Sequence, residues 1–315
     1  MQNKTVAIIG GAGFVGRAVV EKLARAGARI LVLTRNAERA KILKPLGDVG
    51  QITIVAGNAL NDSDLERVMA PADMVVNLVG ILAPSGKQTF TSLHAELPAR
   101  LAEVAARTNV EKIVHISALG ADLDSPSQSA RSKAEGERGL LRVMPQASIL
   151  RPSIIFGAGD GFFCRFGQMS MLAPALPLIG GGKNLMQPVF VGDVAAAVCV
   201  CLEDRKTDGQ IYELGGPKTY SFKALMEMIR AAVGRRVGLL SIPFAAMQIP
   251  AAIFSLLPNP PITADQLRQL RIDNVVSGAL PGLDALGIEP QPAEAHVPEI
   301  LLQFRPGGRF NTRRG

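Results

Sequence analysis

The chain is 315 residues long, 48% hydrophobic and 19% charged, with a net charge of +7; that supplies apolar material for a large core, at a length that fits one large domain or two modest ones. Its three cysteines, Cys164, Cys199 and Cys201, are odd in number and form no CxxC pair, which argues against a disulfide framework or a zinc site and fits a reducing compartment. No uninterrupted apolar run of about twenty residues is present to span a bilayer, and the basic balance favours anionic partners, either a phosphorylated cofactor or an acidic surface, with no nucleic acid expected.

Val6, Ala7, Ile8 and Ile9 read as a buried strand, and Gly10-Gly11-Ala12-Gly13-Phe14-Val15-Gly16 turns it into a helix running to about Ala26. Because this strand starts almost at Met1, no signal or transit peptide is expected. Further strands are expected over 29–34, 52–55, 74–79, 112–117 and 148–151. Between them, 98–108 carries Leu101, Val104 and Ala105 on one helical face and Arg100, Glu103 and Arg107 on the other. A second helix is expected over 132–143. Short β-branched runs alternating with helices predict an α/β fold, a doubly wound parallel sheet with helices on both faces.

After Arg151 the texture changes to loops rich in Gly and Pro, at 157–161 and 180–182, with short returns at 188–200 and 210–214. The expected domains are therefore a nucleotide-binding domain over 1–155, to which 188–215 returns, and a smaller C-terminal lobe from 156–187 and 216–305. Asp193 is expected to cap the helix that follows it. From 237 to 264 there is no charged side chain, and Pro243, Pro250, Pro258, Pro260 and Pro261 break the run. Two readings stand side by side there: a core hairpin, or an interfacial pair of short helices that meets a partner or membrane surface through Phe244, Met247, Ile253, Phe254 and Leu257. Residues 306–315 form a basic tail containing Arg309, Arg313 and Arg314, close behind Arg305.

The glycine-rich turn has the context that chemistry requires: it follows an apolar strand, opens a helix, and is followed by a second strand. Gly10, Gly13 and Gly16 permit a tight turn and close backbone approach to a pyrophosphate, with Phe14 and Val15 at the helix N-terminus. At the end of the second strand Arg35, near Arg39, stands where an acidic residue would meet the adenosine ribose hydroxyls, so NADP(H) is expected over NAD(H). Asn58 and Ala59 follow the third strand; Leu78, Val79 and Gly80 follow the fourth. These are the C-terminal strand ends at which a doubly wound sheet holds its ligand. Ser117 ends the fifth strand. Lys133 lies one helical turn after Ser129, where a Tyr-x-x-x-Lys pair would place a phenol. An aliphatic hydroxyl is a far weaker acid, so no catalytic residue is expected, and Ser117, Ser129 and Lys133 are vestigial in that role. His94, His115 and His296 are scattered, have no metal-ligand spacing, and are read as structural.

The spacing Gly10-x-x-Gly13-Phe14-x-Gly16 resembles the extended and atypical short-chain dehydrogenase/reductase families, with their Rossmann sheet and smaller C-terminal lobe. Arg151-Pro152-Ser153-Ile154-Ile155-Phe156-Gly157, Gln187-Pro188-Val189-Phe190-Val191-Gly192-Asp193-Val194, Gly215-Gly216-Pro217, Ile262-Thr263-Ala264-Asp265-Gln266 and Leu280-Pro281-Gly282-Leu283-Asp284-Ala285-Leu286-Gly287-Ile288 extend the likeness over nearly the whole chain. Together they resemble the short-chain-dehydrogenase-like accessory subunits of respiratory complex I. That resemblance implies a tightly held NADPH, with Pro152, Ser153 and Ile154 among the residues lining it. It also implies complex I subunits near the quinone site as partners, and a peripheral position on the cytoplasmic or matrix face of the inner membrane. Two rival expectations are an active NAD(P)-dependent reductase or epimerase on a quinone-related or other small substrate, and an NmrA-like redox sensor.

Overall fold

Val6, Ala7, Ile8 and Ile9 have almost no exposed surface, as expected of a strand covered on both faces. In the computed structural model, which describes residues 1–247 and 263–308, they form β1 (Thr5–Ile9) at the middle of a parallel sheet. The chain then runs through α1 (Phe14–Arg25), β2 (Arg29–Thr34), β3 (Ile52–Ala56), α2 (Asp62–Met69), β4 (Met74–Asn77), α3 (Leu97–Ala106), β5 (Lys112–Ile116), α4 (Gln128–Val143) and β6 (Ser148–Pro152). It returns later as α5 (Val191–Glu203) and β7 (Ile211–Leu214). The strand order is β7-β6-β5-β4-β1-β2-β3. The strand order reverses between β1 and β4, the switch point at whose C-terminal strand ends a doubly wound sheet holds its ligand.

Several boundaries depart from the sequence reading. Strand β4 stops at Asn77, two residues early, because the Asn77 side-chain oxygen accepts the Val79 N–H at 3.1 Å and turns the chain. Helix α4 begins at Gln128, not Ser132, since the Ser127 hydroxyl accepts the Ala130 N–H at 3.2 Å and caps it there. Asp193 is inside the first turn of α5, which starts at Val191, and is not its cap; a carboxylate in that turn still complements the helix dipole.

The described residues divide into two units. The first comprises Met1–Pro152, Gly192–Leu214 and Ser277–Glu289. The sequence reading had the first domain end at 155, resume at 188 and contain nothing beyond 215. The return of 277–289 is tied in by the Glu213 N–H donating to the Pro281 carbonyl (2.9 Å) and the Ser277 N–H donating to the Glu213 carboxylate (2.5 Å). The base of β5 is locked by buried Lys112, whose ammonium donates to the Asp204 carbonyl (2.9 Å) and the Thr207 hydroxyl (3.0 Å) and pairs with Asp208. A buried cation is tolerable only with such a full set of partners.

The second unit is formed by the described residues of Ser153–Val191, Gly215–Val276 and Pro290–Gly315. Its core gathers Phe156, Phe163, Phe222, Leu225, Ile229 and Val297. Of the uncharged stretch, Gly238–Ile242 is a mostly exposed strand paired in parallel with Ala175–Ile179, and Phe244 and Met247 pack against Ile179 and Leu267. Residues 248–262, with Ile253, Phe254 and Leu257, lie outside the described residues, as do 309–315 with Arg309, Arg313 and Arg314. No described helix is long and apolar enough to cross a membrane.

Candidate nucleotide site

At the end of β1, Gly10 has φ +89°, and a Cβ there would sit 3.1 Å from the Leu78 carbonyl carbon and 3.2 Å from the Val79 nitrogen. The loops leaving β1 and β4 therefore meet backbone to backbone, which only glycine permits. Helix α1 opens at Phe14, with Gly13 as N-cap, no side-chain capping bond and no acidic residue in its first turn. Its first-turn amides, from Phe14, Val15 and Gly16, carry the positive end of the dipole, the arrangement that receives a diphosphate.

Arg35 is exposed at the end of β2, and its guanidinium faces the Gln88 side-chain amide, whose oxygen turned inward accepts from it. No carboxylate stands in Thr34-Arg35-Asn36. At the end of β3, Asp64 accepts the Asn58 N–H (2.8 Å) and an Arg67 N–H (2.7 Å), while the Asn58 side chain accepts the Leu60 N–H (3.0 Å). The nearest acid beside Asn58 and Ala59 is thus already engaged.

Beyond β4, three bonds strap the backbone of residues 78–81. Leu78 N–H donates to the Ile9 carbonyl (2.9 Å), Val79 N–H to Asn77, and Ile81 N–H to His94 Nε2 (3.0 Å). The Asn77 amide also donates to His115 Nδ1 at 3.1 Å, because Asn77 and His115 are register partners across β4 and β5. Burial, assisted by the nearby Lys133 ammonium, pushes both His94 and His115 down to about 3, so both imidazoles are neutral at physiological pH. Ser117, just past β5, has a buried hydroxyl without a hydrogen-bond partner among the described residues, as does His115 Nε2.

Lys133 lies on α4 one turn after Ser129, which is 8% exposed. Burial pushes its ammonium down to about 8 against the opposing pull of Glu137. Glu137 itself is held by Arg151 through two bonds, 3.0 and 2.5 Å. These residues fit a nicotinamide dinucleotide: the Gly10 cradle and the uncapped start of α1 suit the diphosphate, and the orphaned Ser117 hydroxyl and the Lys133 ammonium suit the ribose and carboxamide end.

The structure brings Gly10, Leu78 and Val79 together, and places Lys133 within electrostatic reach of His94 and His115. It leaves Ser153 and Ile154 otherwise engaged. The Ser153 hydroxyl is bonded to the Asn274 side-chain oxygen at 2.6 Å, and Ile154 packs in the aromatic core of the second unit while its carbonyl accepts the Val189 N–H. Pro152 is buried at the end of β6. Sequence reasoning placed Asn77 at the ligand-holding strand ends but missed its bond to His115, and it missed roles for His94, Gln88 and the Glu137–Arg151 pair. Their partners are distant in sequence, and no local signal picks them out.

Residues 6–215 match the family described as NAD dependent epimerase/dehydratase. The chain is 32% identical over 313 residues to an NADH dehydrogenase (ubiquinone) 1 alpha subcomplex subunit 9, mitochondrial, from Arabidopsis thaliana, covering 96% of this chain and 78% of the plant protein. The mouse (Mus musculus) protein of the same name is 31% identical over 301 residues, covering 95% and 80%. Among solved structures, the Thermus thermophilus UDP-glucose 4-epimerase complex with NAD superimposes with a TM-score of 0.71 at 18% identity, covering 95% of this chain and 98% of the epimerase.

Proposed function

Because the chain belongs to the NAD dependent epimerase/dehydratase family, whose members bind a nicotinamide dinucleotide, we propose that it is an NADPH-holding accessory subunit of a respiratory NADH:quinone oxidoreductase with no oxidoreductase turnover of its own. The observation that carries this reading is a nucleotide site that retains its turn, its ribose lysine and its Ser117 but has Ser129 in place of a phenol. Likeness to complex I subunits along almost the entire chain supports the assembly role and a peripheral position on the inner membrane, beside subunits near the quinone site.

In this reading Arg35 pairs with the adenosine 2′-phosphate, Lys133 holds the nicotinamide ribose, and Ser117 donates to the carboxamide end. The bound nucleotide would supply a hydride donor or acceptor, but among the described residues no side chain is placed to move the accompanying proton. His94 is bonded at both ring nitrogens, and His115 is buried beneath the strand ends.

Affinity purification from native membranes, followed by identification of co-purifying proteins and of the bound nucleotide, tests the proposal. Complex I subunits and NADP(H) are expected together. Recovery of the chain alone and nucleotide-free overturns it.

The lysine adds a pH signature. Ribose hydroxyls accept from the ammonium form, and in the free protein that form begins to disappear near pH 8. Binding therefore raises the Lys133 pKa, and affinity must fall as pH rises through 8, by at most about tenfold per unit. Below that pH it is flat. The titratable groups that face Lys133 are Glu137, already paired with Arg151, and His94 and His115, both neutral at this pH. Titration calorimetry from pH 7 to 9.5 should show the slope in the unmodified protein and none in Lys133→Met; a slope that survives the substitution assigns it elsewhere.

A further inference from the structure

We propose that His94 is a positioning residue for the nicotinamide half of the nucleotide site, tying the backbone strap after β4 to the helix that carries Lys133. This rests on the nucleotide reading above and adds to it a residue that never touches the ligand.

Ile81 N–H donates to His94 Nε2 at 3.0 Å, so in the neutral ring that nitrogen is bare and the proton sits on Nδ1. Nδ1 lies 3.3 Å from the Ser132 hydroxyl, which itself donates to the Ser129 carbonyl at 2.9 Å. One ring thus bridges residue 81 to Ser132 on α4, whose hydroxyl reaches back to the Ser129 carbonyl. Lys133 follows Ser132 directly, and its place relative to the strap is fixed by this bridge.

The local backbone is shaped for the same purpose. His94 sits in a π-helical turn, Thr91–Glu96, a wide turn that is rare and recurs at functional positions. On the facing helix is Gly136, where a Cβ would come within 1.9 Å of the His94 carbonyl oxygen. Helix α4 is therefore seated directly on the π-turn backbone, closer than any other residue would allow. The ring is 2% exposed and lies beside Phe90. A leucine would fill that space without the desolvation cost of an imidazole, and the hydrogen bonds offset that cost only because both nitrogens find partners. Those partners belong to the two segments that must be held in register for the nicotinamide ribose, and to nothing else.

The test separates the two halves of the ligand. Calorimetry on the full chain compares NADPH with 2′,5′-ADP, which carries the adenosine and its 2′-phosphate but no nicotinamide ribose. His94→Leu should weaken NADPH about threefold to tenfold, the effect of losing one or two neutral hydrogen bonds, and leave 2′,5′-ADP unchanged. His94→Gln, which keeps an amide able to accept from Ile81 and donate toward Ser132, should recover most of the loss. Ser132→Ala removes one end of the bridge with little change in volume, and should show the same split if His94→Leu fails to fold. An equal loss for both ligands, no loss for either, or a glutamine variant as weak as the leucine one overturns the proposal. Failure of the unmodified protein to bind either ligand overturns the nucleotide reading itself, and this inference with it.

Discussion

Supplied with NADPH and a small aldehyde or quinone, the protein is expected to oxidise the nucleotide about a hundredfold to ten-thousandfold more slowly than a family member with its phenol in place, the range a positioned general acid contributes. Ser129 occupies the position one turn before Lys133, and its hydroxyl is too weak an acid to release or recover a proton near neutral pH. The usual device for activating that acid, a neighbouring ammonium, is present in Lys133 but has nothing suitable to act on. Neither His94 nor His115 fills the gap, since burial and Lys133 push both down to about 3, and a buried ring that stays neutral near pH 7 is a poor proton shuttle. Absorbance of the reduced nucleotide under steady-state conditions checks this, with Ser129→Ala as the control. Turnover on the order of 10 per second that is indifferent to Ser129→Ala would place the catalytic acid elsewhere and end the accessory-only reading.

Replacing Arg35 is expected to remove the preference for NADPH. A hydrogen bond to a charged group is worth about 1.5 to 3 kcal/mol, so Arg35→Ala should weaken NADPH about tenfold to a hundredfold while NADH changes little. The guanidinium is exposed at the end of β2 and no carboxylate in Thr34-Arg35-Asn36 competes for it. Gln88, across from it, supplies a neutral acceptor that a phosphate can displace. Because the contact is exposed, the difference between the two nucleotides should shrink as salt is raised. Equal affinity of the unmodified protein for NADPH and NADH, by calorimetry, removes the basis for NADP(H) preference.

The parts of this protein legible in its sequence are those that a short window of residues decides. An apolar run followed by Gly10, Gly13 and Gly16 is a strand, a turn and a helix because turn conformation and helix entry are local properties, and the structure has β1 and α1 there. Arg35 at a strand end and Ser129 four residues before Lys133 were equally readable, since a four-residue step on any helix is one turn. The doubly wound sheet followed from alternation alone. Element ends were less legible: Ser127 capping α4 and Asn77 turning the chain after β4 each act through one side chain on a nearby amide, and such residues are common in loops of every kind.

What only the tertiary structure decided is which distant polar groups meet. Asn77 reaches His115, and His94 reaches Ser132, each across 38 positions of sequence. The first pairing exists because β4 and β5 are neighbours in a given register; the second exists because α4 rests on the π-turn at Gly136. Likewise, the return of 277–289 to the first unit depends on Glu213 finding Ser277 and Pro281. Read singly, the histidines look like isolated core residues. Hydrophobic periodicity tells each segment which face to bury, but the energy of a buried hydrogen bond depends on its partner's position to within a few tenths of an ångström, and only the packed sheet and helices fix positions that finely.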